Sequence, residues 1–166
     1  APRYTSADSI SSYHLGAQAQ LAGIHPIGKR SAPEVLAILY KGLSAWCRTD
    51  ALGLDAKHFR RALPANEDPW PYVALGLQLW KAMFTRPANG EPVFAISLLY
   101  LGKWLALNLD AIPAKYGTLV VDEAHDLPPS WLYLFSKYLG GCVLMGDPYQ
   151  KLEGRAWDVP GAMKCS

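Results

Sequence analysis

Two short acidic segments hold the residues best equipped for chemistry: Asp122-Glu123-Ala124-His125-Asp126 and Gly146-Asp147-Pro148-Tyr149-Gln150. A hard cation such as Mg²⁺, carried by nucleotide phosphates, prefers oxygen ligands and keeps several waters, so one carboxylate at a strand end can hold it directly or through water. Asp122 suits that role. Glu123 beside it can orient and deprotonate an attacking water, and a neutral amide such as Gln150 can hydrogen-bond the terminal phosphate and report its loss. Asp122 and Asp147 stand 25 residues apart in the chain, so only the fold can bring them together.

The elements expected to do so are a strand, a helix and a strand. Leu119, Val120 and Val121 form a short apolar run before the first acidic segment, as a parallel strand buried on both faces should. Trp131 to Leu139 reads as a short helix, and Cys142 to Met145 as a second strand after the Gly140-Gly141 break. That is about the ~30 residues of a βαβ unit, with a right-handed crossover expected. In a parallel sheet both acidic segments then leave from the same edge, where open α/β folds bind ligands.

Upstream the pattern is helical. Val35, Leu36, Leu39, Leu43, Trp46 and Cys47 recur at three- and four-residue steps behind a Ser31 cap and Pro33. Tyr72, Leu75, Leu79, Trp80, Met83 and Phe84 repeat that period after Pro71 and end at the Pro87, Asn89 and Gly90 breakers. Ile96, Leu99, Leu101, Trp104, Leu105 and Leu107 favour a third helix, although apolar crowding blurs its face. Ala1 to Ser31 reads as irregular, with a helical turn at Ala17 to Ala22.

Asp122 to Asp126 resembles the second motif of UvrD/Rep-type superfamily 1 helicases, in which a glutamine more often stands at the place of His125. Gly146 to Gln150 resembles their third motif. The run from Leu98 to Asp122, with Tyr100, Leu101, Trp104 and Leu105, is similar to the F-box DNA helicase branch, and Tyr13-His14 resembles a threonine- and histidine-bearing segment after that family's motif Ia. The resemblance implies an α/β fold: part of a RecA-like parallel sheet of the P-loop NTPase class over 111–166, preceded by a mainly helical insertion subdomain over 1–110. It further implies an ATP-dependent DNA helicase or translocase. Its cofactors would be ATP and Mg²⁺, and its partners single-stranded DNA or a duplex junction and a second RecA-like domain. Glu123 and Gln150 then become catalytic, Asp122 the Mg²⁺ ligand, and Asp126 and Asp147 cofactor-binding. His14 is a candidate nucleic-acid contact. Past Gln150 the family's DNA-stacking aromatic has no aligned counterpart, and Trp157 is the aromatic carried forward in that role.

One part of the family's machinery has only a partial match. A phosphate-binding loop needs a strand, Gly-x-x-x-x-Gly-Lys-Ser/Thr and a helix. Gly23, Gly28 and Lys29 meet part of that spacing, but Arg30 holds the hydroxyl position and Ala17 to Ala22 lacks a β-branched run. A surface turn leading to the Pro33 helix is the competing reading. With a first residue Ala1, the chain is expected to be an internal fragment, inactive as an ATPase alone. Two rival functions stay open. One is a viral-type superfamily 1 RNA helicase, toward which Leu127-Pro128-Pro129 leans. The other is a degenerate, non-catalytic module that binds nucleic acid or protein.

Composition restricts the remaining possibilities. The chain has 166 residues, 51% of them hydrophobic and 18% charged, enough for one core or two small ones and contrary to a disordered composition. A net charge of +2 neither demands nor excludes nucleic acid. Cys47, Cys142 and Cys165 are unpaired by spacing, which points to reduced thiols. No run reaches the ~18 apolar residues of a membrane span, and an intracellular, cytoplasmic or nuclear, protein is expected. Lys57, His58, Arg60 and Arg61 read as a solvated helix face or a phosphate contact, and Trp46, Trp80 and Trp104 as core. For His125, a satisfied structural histidine and a nucleotide-coupling role are both open.

Overall fold

The six apolar positions that define the Pro33 helix are all buried: Val35, Leu36, Leu39, Leu43 and Cys47 are 0% exposed and Trp46 is 2% exposed. They lie on α2, Ala32–Cys47. Ser31 opens it, its backbone N–H donating to Glu34 Oε2 at 2.7 Å and its hydroxyl to the same oxygen at 2.6 Å. These two bonds hold the Glu34 carboxyl below its ordinary range, the hydroxyl contributing most. The computed structural model describes residues 12–85, 94, 96–112, 115 and 117–147, with side chains described from residue 15 onward. By internal contacts the chain forms two compact units, residues 1–46 with 53–98 and residues 47–52 with 99–166. The helix expected from Ile96 to Leu107 is observed at Leu98–Leu107, and all of it but Leu98 falls in the unit that holds the sheet.

In the helical unit, α1 spans Ser12–Leu21, α2 follows, and α3 spans Trp70–Phe84. A 3₁₀ turn, Ala56–Phe59, lies between α2 and α3. The first helix is longer than the helical turn expected at Ala17 to Ala22. Small residues let it pack without an amphipathic signature: Ala19 and Ala22 are buried, Tyr40 donates to Gln18 Oε1 at 2.9 Å, and Gln78 donates to the Ala22 carbonyl at 2.7 Å. The core turns on Phe59, which is 0% exposed. A β-carbon on Gly42 would stand 2.1 Å from its ring, and one on Gly76 would stand 3.2 Å from it. Each helix accepts a glycine, at a cost of about 1 kcal/mol relative to alanine, where the aromatic ring must meet backbone. Trp46 packs edge-on against Trp80 at 5.0 Å, and Trp80 meets Phe84 at 4.7 Å. Of the basic group, Lys57, Arg60 and Arg61 are exposed, whereas His58 is buried and its Nδ1 accepts the Asp55 N–H at 2.9 Å.

In the second unit, α4 spans Leu98–Leu107, β1 Leu119–Val121, α5 Pro129–Lys137 and β2 Cys142–Leu144. The buried face of α4 is Tyr100, Gly102, Lys103 and Ala106, and Leu101, Leu105 and Leu107 are half-buried. Lys103 can turn inward because its ammonium donates to the carbonyls of Thr49 at 2.9 Å and Ala51 at 2.5 Å, which offsets much of its desolvation. Burial still lowers its pKa. Gly102 leaves the space that the Trp131 indole fills; a β-carbon there would stand 2.0 Å from the ring.

β1 and β2 pair in parallel with Leu119 opposite Cys142, Val120 opposite Val143 and Val121 opposite Leu144. The described residues therefore form an α/β arrangement with a two-stranded parallel sheet. One face, Leu119, Val121, Cys142 and Leu144, packs on the cluster of Ala106, Leu134 and Phe135. The other differs from the sequence expectation of strands buried on both sides: Val120 is 65% and Val143 48% exposed. Burial of both faces requires a layer on each, and the described residues supply one. No helix among the described residues is long and apolar enough to cross a membrane.

Candidate functional site

The ladder between the strands does not stop at their ends. Met145 N–H donates to the Val121 carbonyl at 2.8 Å, and Ala124 N–H donates to the Met145 carbonyl at 2.8 Å. The second bond folds the acidic segment after β1 onto the segment after β2. Asp122, at the end of β1, is exposed, and its Oδ1 accepts the Glu123 N–H at 2.9 Å. Glu123 then takes the left-handed conformation, φ 54° and ψ 36°, the one residue other than glycine with positive φ among those described. This reverses the chain into the 3₁₀ turn Ala124–Asp126, closed by Asp126 N–H to the Glu123 carbonyl at 3.0 Å.

The turn sinks the residues that follow Glu123. Ala124 is 0% and His125 3% exposed. His125 Nδ1 stands 3.3 Å from Glu123 Oε2, whose side chain is 60% exposed. Gly146 closes over the turn: a β-carbon there would be 3.0 Å from His125 Nδ1, 3.1 Å from the His125 nitrogen and 3.3 Å from the Ala124 nitrogen. Asp147 follows Gly146 and, like Asp126, is half-buried and engaged in interactions. Asp122, Glu123, Asp126 and Asp147 thus leave the sheet from one edge. Gln150 and Trp157 lie outside the described residues, as does the side chain of His14, whose backbone is in α1.

An exposed Asp122 with one oxygen fixed by a backbone N–H fits a Mg²⁺ ion held mainly by water and phosphate, which asks the protein for one or two carboxylates. No cluster of three or more His, Cys, Asp or Glu suited to a metal occurs among the described residues; that observation bears on all-protein cages, not on this mode. The Gly23 to Lys29 stretch does not fit phosphate. Gly23, φ 64°, ends α1 in a Schellman motif, with Gly23 N–H on the Gln20 carbonyl at 3.1 Å and Ile24 N–H on that of Ala19 at 2.8 Å. Ile27 and Arg30 then bridge each other across Gly28-Lys29. A helix stop and a tight turn stand where a strand and a phosphate cradle would be needed. The Arg30 guanidinium is meanwhile bound to Glu67, and donates to the Tyr72 hydroxyl at 2.8 Å.

Comparison of the chain with descriptions of protein families, with curated proteins and with solved structures finds no match.

Three contributors escaped the sequence reading. The Met145 carbonyl ties the two acidic segments together through backbone alone, which no side chain announces. Lys103 sits in an apolar run where only its inward carbonyl partners reveal its role. Ser130, early in α5 and 1% exposed, donates to the Cys47 carbonyl at 2.7 Å. Burial pushes the Cys47 thiol from an ordinary 9.0 up to about 12, which disfavours the thiolate.

Proposed function

We propose that this chain carries the metal-facing and water-facing edge of an ATP-hydrolysing site of the UvrD/Rep-type superfamily 1 DNA helicase kind, on a RecA-like sheet. It would work with ATP and Mg²⁺, a second RecA-like domain, and single-stranded DNA or a duplex junction. The observation that carries this reading is the parallel register of β1 and β2, which brings both acidic segments to one edge and seats Gly146 on the Ala124–Asp126 turn. Asp122, with its Oδ1 held by the Glu123 N–H, is the metal-side carboxylate. Glu123, exposed beside it, is the group that orients and accepts a proton from water. Asp122 would hold Mg²⁺ there, which would supply neutralisation of charge on phosphate oxygens. Gln150 follows in the role of phosphate sensor.

A second reading, a non-catalytic binding module, is favoured by the Gly23 to Lys29 geometry, which offers no phosphate cradle. The test is backbone NMR of the full 166-residue chain titrated with Mg²⁺ and the non-hydrolysable ATP analogue AMP-PNP. The expected result is Mg²⁺-dependent shifts confined to 122–126 and 146–147 that vanish in Asp122→Asn, with no ATP turnover above buffer. Shifts absent from both segments, or unchanged in Asp122→Asn, would favour the module.

A further inference from the structure

The catalytic reading leaves one buried polar atom without a task. His125 is 3% exposed, and its Nδ1 makes no hydrogen bond. A buried imidazole nitrogen in that state needs an explanation, since buried polar groups are almost always paired. Its position is fixed from two sides. A β-carbon at Gly146 would stand 3.0 Å from the ring Nδ1 and 3.1 Å from the His125 nitrogen, so a side chain there would crowd the histidine. The left-handed turn at Glu123 brings the side chains of residues 123 and 125 to one place, with Glu123 Oε2 3.3 Å from Nδ1. That distance exceeds a charge-assisted N–H···O bond by roughly 0.5 Å, a gap that a small rotation of the exposed Glu123 side chain closes.

We propose that His125 is a positioning residue for Glu123: its Nδ1–H donates to the Glu123 carboxylate and fixes where that carboxylate stands at the strand end. The role rests on reading Glu123 as the water-activating group. A carboxylate only accepts hydrogen bonds, so the pairing selects the ring form with a proton on Nδ1. Gly146 is the spacer that lets the ring approach, which gives the Gly-Asp segment a second duty besides its own carboxylate. The exposed Glu123 side chain would otherwise sample several rotamers. One anchored oxygen leaves the other at a defined place beside Asp122, which is what a group that orients water needs.

Ring ¹⁵N–¹H correlation spectra of the nucleotide-free full chain test the contact, the His125 signals being assigned by their loss in His125→Asn. The expected result is a proton on Nδ1 whose resonance moves, or passes to Nε2, in Glu123→Ala. Glu123 is exposed, so this variant keeps the fold. A proton on Nε2 that ignores Glu123→Ala would overturn the proposal. The role is tested by the response of the Glu123 amide to Mg²⁺ with AMP-PNP, expected to be lost in His125→Leu and retained in His125→Asn, whose amide nitrogen stands where Nδ1 does. An undiminished response in His125→Leu would also overturn it. A chain whose Asp122 and Glu123 amides ignore Mg²⁺ and AMP-PNP in every variant fails the nucleotide-site reading instead, while the contact is decided by the nucleotide-free spectra alone.

Discussion

Phe59 and His125 are both buried rings pressed against glycine, one in each compact unit. Around Phe59, the glycines of α2 and α3 admit an apolar ring, and the contact contributes burial at the small cost of two helical glycines. Around His125, Gly146 admits a ring whose Nδ1 stands 3.3 Å from the carboxylate of a glutamate held at φ 54°. The first arrangement lowers the free energy of folding; the left-handed backbone at Glu123 in the second carries a cost. A non-glycine residue in the left-handed region costs of order 1–3 kcal/mol and persists only where its surroundings over-determine it. Here the Ala124 to Met145 and Asp126 to Glu123 backbone bonds do that. Departures from local rules that concentrate beside exposed carboxylates are a pattern seen at working sites.

The comparison breaks most directly in the helical unit. Leu39 is 0% exposed on α2, so Leu39→Ala is expected to cost about 2–5 kcal/mol. Urea unfolding followed by tryptophan fluorescence measures it, because Trp46 and Trp80 report on that unit. A loss below about 1 kcal/mol would mean that the α2 face is not where this unit's stability lies.

The same contrast explains what the sequence made legible. A helix with polar residues on one side announces its buried face, and all six positions read on α2 are buried. On α4 nearly every residue is apolar, so period carries no information, and the buried face turned out to include Lys103, while Leu105 packs on the core only partly buried. Two apolar runs separated by a helix sufficed for a parallel pair, because strand, crossover and strand allow few alternatives. The layer on each face was not legible, since Val120 and Val143 look the same covered or bare. At the site, residue types pointed to Asp122 and Glu123. The left-handed turn and the His125 contact depend on where backbone bonds of distant segments fall, and no spacing encodes that.

A smaller effect sharpens the strain argument. Glycine reaches φ 54° freely, so Glu123→Gly relieves the left-handed cost and loses roughly 0.5–1 kcal/mol to unfolded-state entropy. The expected outcome is a gain between about 0 and 2.5 kcal/mol in the stability of the sheet unit, read from hydrogen exchange of the β1 and β2 amides. The gain comes with loss of the carboxylate to which the proposed function assigns the water. Destabilisation by more than about 1 kcal/mol would show that the Glu123 side chain supports the fold, and the argument from strain to function would fall.

The smallest effect concerns the outer face of the sheet. Val120 and Val143 pair with each other across β1 and β2 and are 65% and 48% exposed. Threonine keeps the β-branched shape and strand preference of valine, and in water its hydroxyl needs no protein partner. Val120→Thr and Val143→Thr should therefore each fall within about 0.5 kcal/mol of the original chain, measured by the same exchange experiment. Beneath an apolar layer the result would differ, because each hydroxyl would be desolvated without a partner at about 1–3 kcal/mol. A double variant that loses more than about 2 kcal/mol would thus place a covering layer on this face and make the sheet unit's core two-sided. A double variant close to the original would leave the sheet with one packed face, and the contrast with the closed helical core would hold.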